Sequence, residues 1–273
     1  MNMPPNNPKW PEILWRAYLT GDHSELGPMI LGVKRAFSLL PGHRRCRVCS
    51  APFVGPAAVV TRMLGFGAGS TLNPTLCVRC EQIVKKHGVG IETEVSLLFA
   101  DIRGSTALAE QVGSASFHKI IERFYKAAVD VLIDSGALIE KLIGDEVAGI
   151  YAPGIAGPNH AARAVDAAQA LLKATGHGDP GGPWVEVGVG VHTGRVYVGA
   201  VGEAHTMSVI TVLGDTANTA ARLASKAEAG QILVTIDCCN AGAAVDADLP
   251  VDIELRGRST PLQVRSLRIG SAV

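Results

Sequence analysis

Two aspartates in this chain sit where a carboxylate needs an explanation. Asp101 ends the apolar run of "LLFADIRGST" (97–106), and Asp145 follows Gly144 in "EKLIGDEVAGIY" (140–151). If the strand before Asp101 and the hairpin around Asp145 are neighbours, both carboxylates meet at one sheet edge. They would repel there unless a divalent cation neutralises them. The turn "DIRGST" opens a helix, so its backbone N–H groups make a seat for phosphate beside Asp101. A third pair lies in "GDTANTAARL" (214–223), where Asn218 and Arg222 are four apart and share one helix face. An amide next to a guanidinium suits an anionic, oxygen-rich ligand. Metal-assisted chemistry on a phosphate is what these groups could do together. Taken singly, Asp101 could merely cap a helix and Asp145 merely serve a Gly-Asp turn.

A second kind of chemistry is written in "CRVC" and "CVRC", which place Cys46, Cys49, Cys77 and Cys80 in two CxxC turns with 27 residues between them. Two such turns supply the four thiolates of a closed, tetrahedral Zn²⁺ site, one structural Zn²⁺ per chain. An iron site and unmetallated core thiols are the alternatives. His43 and His87 flank the pairs and read as surface residues, not ligands. Cys238 and Cys239 read as half-buried helix residues, and His192 as a packed core or turn histidine.

The elements that must position these groups follow from periodicity. "VSLLFAD" reads as a buried strand, and "SASFHKIIERFYKAAVDVLIDSG" as an amphipathic helix with apolar residues at i, i+3, i+4. "ALIEKLIGDEVAGIY" reads as two strands folded about Gly144–Asp145. "PNHAARAVDAAQALLKAT" reads as a helix from Pro158. "WVEVGVGVHTGRVYVGAVG" reads as two strands separated by a Thr193–Gly194 turn. "TMSVITVLGDTANTAARLASKA" runs strand, turn, helix; "QILVT" and the segment 252–268 close the module. Upstream, "PEILWRAYLTGDHSELGPMILGVKRAFSLLP" has helical spacing, and its helices could pack on the cysteine module or form a dimer contact.

Composition separates the two regions. The 273 residues carry no net charge, yet residues 1–92 hold 11 Lys+Arg against 5 Asp+Glu, and residues 93–273 hold 14 against 20. A +6 piece joined to a −6 piece argues for two modules, 1–92 and 93–273. Basic "HRRCRVC" admits a zinc-ribbon nucleic-acid binder, but the module lacks interleaved aromatics and a reading helix, so nucleic acid is the weaker partner. No apolar run reaches the roughly 18 residues of a membrane span, and the first residues lack a signal-peptide pattern. The expectation is a cytoplasmic protein with no membrane partner.

Five ordered motifs, "FADIRGST", "EKLIGDEVAGIY", "VGVGVHTGRVYVGAVG", "VLGDTANTAARL" and "ELRGRSTPLQVRSL", resemble the class III adenylyl/guanylyl cyclase catalytic domain over about residues 93–268. "RAFSLLPGHRRCRVCSAPFVGP" resembles a segment found ahead of some bacterial cyclase domains. The resemblance implies an α+β fold of the ferredoxin-like or palm type, a mixed sheet flanked by helices. A small N-terminal helical and zinc-ribbon-like module would precede it.

Residue by residue, the resemblance implies that Asp101, Asp145 and the Ile102 carbonyl hold two Mg²⁺ or Mn²⁺ ions per site. Lys141 matches the purine-selecting lysine that favours ATP, where guanylyl cyclases tend to carry Glu, and Thr211 matches the second purine contact. Asn218 matches the ribose-orienting amide, and Arg222 the transition-state arginine. Arg256 matches a phosphate-binding position that is usually Lys. The implied activity is conversion of ATP to 3′,5′-cyclic AMP and pyrophosphate in cyclic-nucleotide signalling. The site would form at a homodimer interface, with the metal aspartates from one chain and the purine, ribose and transition-state residues from the other. A guanylate cyclase and a catalytically silent nucleotide-binding regulator are the alternatives.

Overall fold

A computed structural model describes residues 10–26, 28–66, 75–86, 90–203, 207–245, 249–258 and 260–269. His87 lies outside them. In chain order the elements are α1 (Trp10–Thr20), α2 (Pro28–Leu39), β1 (His43–Arg45), β2 (Pro52–Val54), α3 (Pro56–Met63) and α4 (Val78–Lys86). Then come β3 (Gly90–Ile102), α5 (Ser105–Val112), α6 (Ser114–Ser135), β4 (Leu138–Ile143), β5 (Glu146–Tyr151), α7 (Pro153–Ala156) and α8 (His160–Ala174). The chain finishes with β6 (Val187–Glu203), β7 (Met207–Leu213), α9 (Asp215–Lys226), β8 (Gln231–Thr235), α10 (Ile236–Asn240), β9 (Val251–Ile253) and β10 (Leu262–Arg268).

The chain divides into two compact units. One comprises Met1–Thr93 with Pro153–Ile155 and Tyr197–Val212; the other comprises Glu94–Ala152, Ala156–Val196 and Leu213–Val273. In the first, α1 packs on α4, with Trp15, Tyr18 and Leu19 fully buried and Leu14 and Ala17 clustered against Leu26 and Ile83. α1 therefore packs on the cysteine module, one of the two roles that its helical spacing allowed.

The second unit is built on the sheet β4-β5-β3-β6-β8-β10-β9; β7, which pairs with β6, falls in the first unit except for Leu213. Strands β3, β4 and β5 are antiparallel neighbours, β6 and β8 run parallel, and β8–β10–β9 is antiparallel again. A mixed sheet of this kind needs helices on its faces to cover the apolar side chains. Successive strand residues point to opposite faces, so β8 sends Ile232 and Val234 into the core under α6 and α8, and Leu233 into a smaller core under α9.

The same period governs "VGVGV". Val187, Val189 and Val191 enter the larger core, and Gly188 and Gly190 lie beneath α9. A Cβ on Gly190 would stand 2.4 Å from the Ala224 amide nitrogen and 2.7 Å from the Ala220 carbonyl oxygen. Both obstacles are backbone, so the helix itself would have to lift. Gly190→Ala should cost about 1–3 kcal/mol of stability, read as a lower denaturation midpoint at unchanged m-value.

One expectation fails here. Thr193 and Gly194 make no turn; β6 runs through them as a single 17-residue strand. Gly194 answers to crowding instead, since a Cβ there would meet the Thr216 side chain at 3.0 Å. The helix expected from Pro158 starts at His160. Among the described residues, no helix is long and apolar enough to cross a membrane.

Candidate active site and four-cysteine cluster

Asp101 is the last but one residue of β3, and the ladder sets it directly opposite Glu146 at the start of β5. Asp145 occupies the β4–β5 turn, which is made possible by Gly144 at φ +62°. That turn is held from two sides: the Ile102 N–H donates to the Asp145 carbonyl at 3.1 Å, and the Tyr125 hydroxyl donates to the Gly144 carbonyl at 2.8 Å. The two aspartates are therefore brought to one sheet edge. Burial pushes the Asp101 carboxyl up to about 6, and Asp145 adds to the rise, although Arg103 pulls the other way. A poorly solvated carboxylate next to a second one offers hard oxygen donors, which fits Mg²⁺ or Mn²⁺. Beside them, α5 begins at Gly104 without any side-chain cap, which leaves its first N–H groups available to an anion.

Lys141 projects from β4 and forms a 2.7 Å ion pair with Glu146, its ammonium lying 5.1 Å from the centre of the Phe99 ring. Sequence reasoning missed Glu146. The sign was present, since an acid that opens a hairpin strand can reach a base two positions along the partner strand.

Asn218 and Arg222 lie one turn apart on α9, and Asn218 is exposed. The Arg222 guanidinium lies against the 256–257 turn, where a Cβ on Gly257 would stand 3.4 Å from it. Arg258 staples this turn to the helix through 2.7 Å bonds to the Asp215 carboxylate and the Thr219 hydroxyl. Arg256, which is exposed, is the residue before Gly257 in that turn. Thr211 lies on β7, in the other unit. His192 is buried, with Nδ1 2.9 Å from the Thr235 hydroxyl, as a packed core histidine should be. Cys238 is buried on α10 and Cys239 half-buried.

In the first unit, the sulfurs of Cys46, Cys49, Cys77 and Cys80 all lie within 4.8 Å of one another, and all four residues are buried. Cys46 is pushed well below the ordinary thiol range by hydrogen bonds from the other three. Cys49 and Cys80 are pushed up because they donate such bonds, while Cys77 is lowered by the bonds it receives from those two. Four soft donors that cannot all ionise alone are a fitting cage for Zn²⁺. His43 stays exposed on β1, outside this set.

Residues 90–264 match the family described as "Adenylate and Guanylate cyclase catalytic domain". The chain belongs to this family. Among its relatives, an uncharacterized protein of Mycobacterium tuberculosis is 30% identical over 183 residues, covering 65% of this chain and 32% of its own. The adenylate cyclase of Anabaena cylindrica is 30% identical over 142 residues, covering 50% of this chain and 28% of its own. This cyclase chain spans about a third of the length of the curated relatives it matches. Its fold is that of the guanylyl cyclase Cya2, at 22% identity and TM-score 0.60 over 67% of this chain and 96% of that one. The adenylyl cyclase CyaB from P. aeruginosa matches at 25% identity and TM-score 0.56, over 67% and 97%. Cyclases of both purine classes share the architecture, so purine choice has to be argued from side chains.

Proposed function

We propose that the chain is an adenylate cyclase that acts in the cytoplasm as a homodimer, converting ATP to cyclic AMP and pyrophosphate. Residues 93–273 would form the catalytic domain and residues 1–92 a zinc-stapled regulatory or dimerising module. The observation that carries the reading is the meeting of Asp101 and Asp145 beside the uncapped start of α5. Divalent ions held by Asp101, Asp145 and the Ile102 carbonyl would supply Lewis acidity, acidifying the ribose 3′-hydroxyl and offsetting phosphate charge.

The chain's own groups do the rest. The first N–H groups of α5 seat phosphate oxygens, and Asn218 orients the ribose so that its 3′-oxygen lines up with the α-phosphorus. Arg222 and Arg256 meet the charge that grows as pyrophosphate departs. Lys141, aimed by Glu146, donates to a purine ring nitrogen. Adenine offers that acceptor, whereas guanine's N1–H and 2-amino group ask for a carboxylate. In this reading Asp101 and Asp145 of one chain face Lys141, Asn218 and Arg222 of the other, so Lys141 and Asp145 of one chain serve different sites. A silent nucleotide-binding regulator is disfavoured by the presence of both aspartates and the arginine.

The test is cyclic-product formation by the purified full chain with Mn²⁺ or Mg²⁺ and either ATP or GTP. Cyclic AMP should dominate; no product from either nucleotide would reject turnover. Lys141→Glu should then lower kcat/KM for ATP about 10- to 100-fold, the worth of one charged hydrogen bond, and raise the relative use of GTP. An unchanged ATP preference would mean that the purine pocket lies elsewhere.

A further inference from the structure

Arg103, two residues after Asp101, has two clients at once. Its own N–H is anchored on the Glu186 carbonyl at 2.8 Å. On one side its guanidinium pairs with the Asp101 carboxylate through Nη2 and donates from Nε to the Asp101 carbonyl at 3.2 Å. On the other side, Nη1 donates to the carbonyls of Ser225 at 2.7 Å and Ala227 at 3.3 Å. Those carbonyls close the C-terminal end of α9, where a helix leaves its acceptors unpaired and its dipole is negative. Arg222 lies three residues before Ser225, about 4.5 Å along the axis. One rigid fork therefore joins a candidate metal ligand to the foot of the helix that carries Asn218 and Arg222.

We propose that Arg103 is a positioning residue that couples metal occupancy at Asp101 to the C-terminal anchorage of α9, and through it one active site to the other. A carboxylate that turns to a divalent cation no longer holds its guanidinium, because two cations at one carboxylate repel each other. Arg103 then keeps only its carbonyl partners and holds the end of α9 more firmly. This rests on the shared site proposed above. Where Asp101 serves one site and α9 of the same chain serves the other, filling the first prepares the second.

The experiment is amide hydrogen exchange over residues 215–229 of the full chain, with and without Mn²⁺ alone, alongside Mn²⁺ binding followed by electron paramagnetic resonance. In the wild type, Mn²⁺ should slow exchange in the last turn of α9 about fivefold, the worth of one favourable charge at a helix end. Arg103→Gln should abolish that response and bind Mn²⁺ about three- to tenfold tighter, since the rival cation is gone, while turnover falls. A purely structural role would weaken Mn²⁺ binding and turnover together. Arg103→Lys keeps the charge with a single nitrogen that cannot serve both clients, so Mn²⁺ affinity should stay near wild type with the α9 response lost. This variant carries the test if Arg103→Gln does not fold. An α9 indifferent to Mn²⁺ in the wild type, or one that responds equally in the Arg103 variants, overturns the coupling. The exchange signal is read within one chain, so it stands or falls apart from the shared site, which mixed dimers test separately.

Discussion

Asp101→Ala and Arg222→Ala homodimers should each run at no more than about a hundredth of the wild-type rate, and an equal mixture of the two should recover about a quarter of it. The first substitution removes an oxygen donor that the site has already desolvated. The second removes the guanidinium seated against the 256–257 turn. In a mixed dimer with a shared site, one site collects both lesions and the other collects neither. Random exchange makes about half the dimers mixed, each with one intact site, which yields the quarter. Mixing Asp101→Ala with Asp145→Ala should restore nothing, since both lesions fall on the same half of each site. Activity in the second mixture, or none in the first after proven subunit exchange, would show that the halves are not divided in this way.

The other large effect is expected at the cysteine cluster. Structural Zn²⁺ sites in small modules carry about 10–16 kcal/mol of apparent binding energy, far beyond what a helix pair such as α1–α4 supplies. Cys77→Ser should therefore lose the metal and loosen the surrounding module. Elemental analysis should fall from one zinc per chain to none, and protease should cut within residues 43–86 much faster. Iron with visible absorbance in the wild type would replace the zinc reading, and absence of any metal would reject it. Neither result bears on Asp101 and Asp145, which lie in the other compact unit.

Much of the fold was legible because burial imposes periods on the chain. The apolar run before Asp101, the i, i+3, i+4 face of α6 and the Gly144–Asp145 turn each describe one local event, and each is found in its place. Gly194 was not legible in this way. A glycine inside a strand looks like a turn residue unless the helix pressing on it is known, and Thr216 is 22 positions further along the chain. Arg103 escaped for the same reason. Its partners Ser225 and Ala227 are chosen by how α9 packs, and no spacing within a motif records them.

The glycine floor beneath α9 also decides how this helix can move. With no side chains between them, the backbone of the helix and that of β6 lie in direct contact at Gly188 and Gly190. A helix seated like a keel in a slot cannot roll without rising out of it, and rising would open the apolar cluster of Leu223, Leu233 and Val264 to water. Any signal that retunes Asn218 and Arg222 therefore has to be felt at the ends of the helix, at the Arg258 staple or at the fork of Arg103.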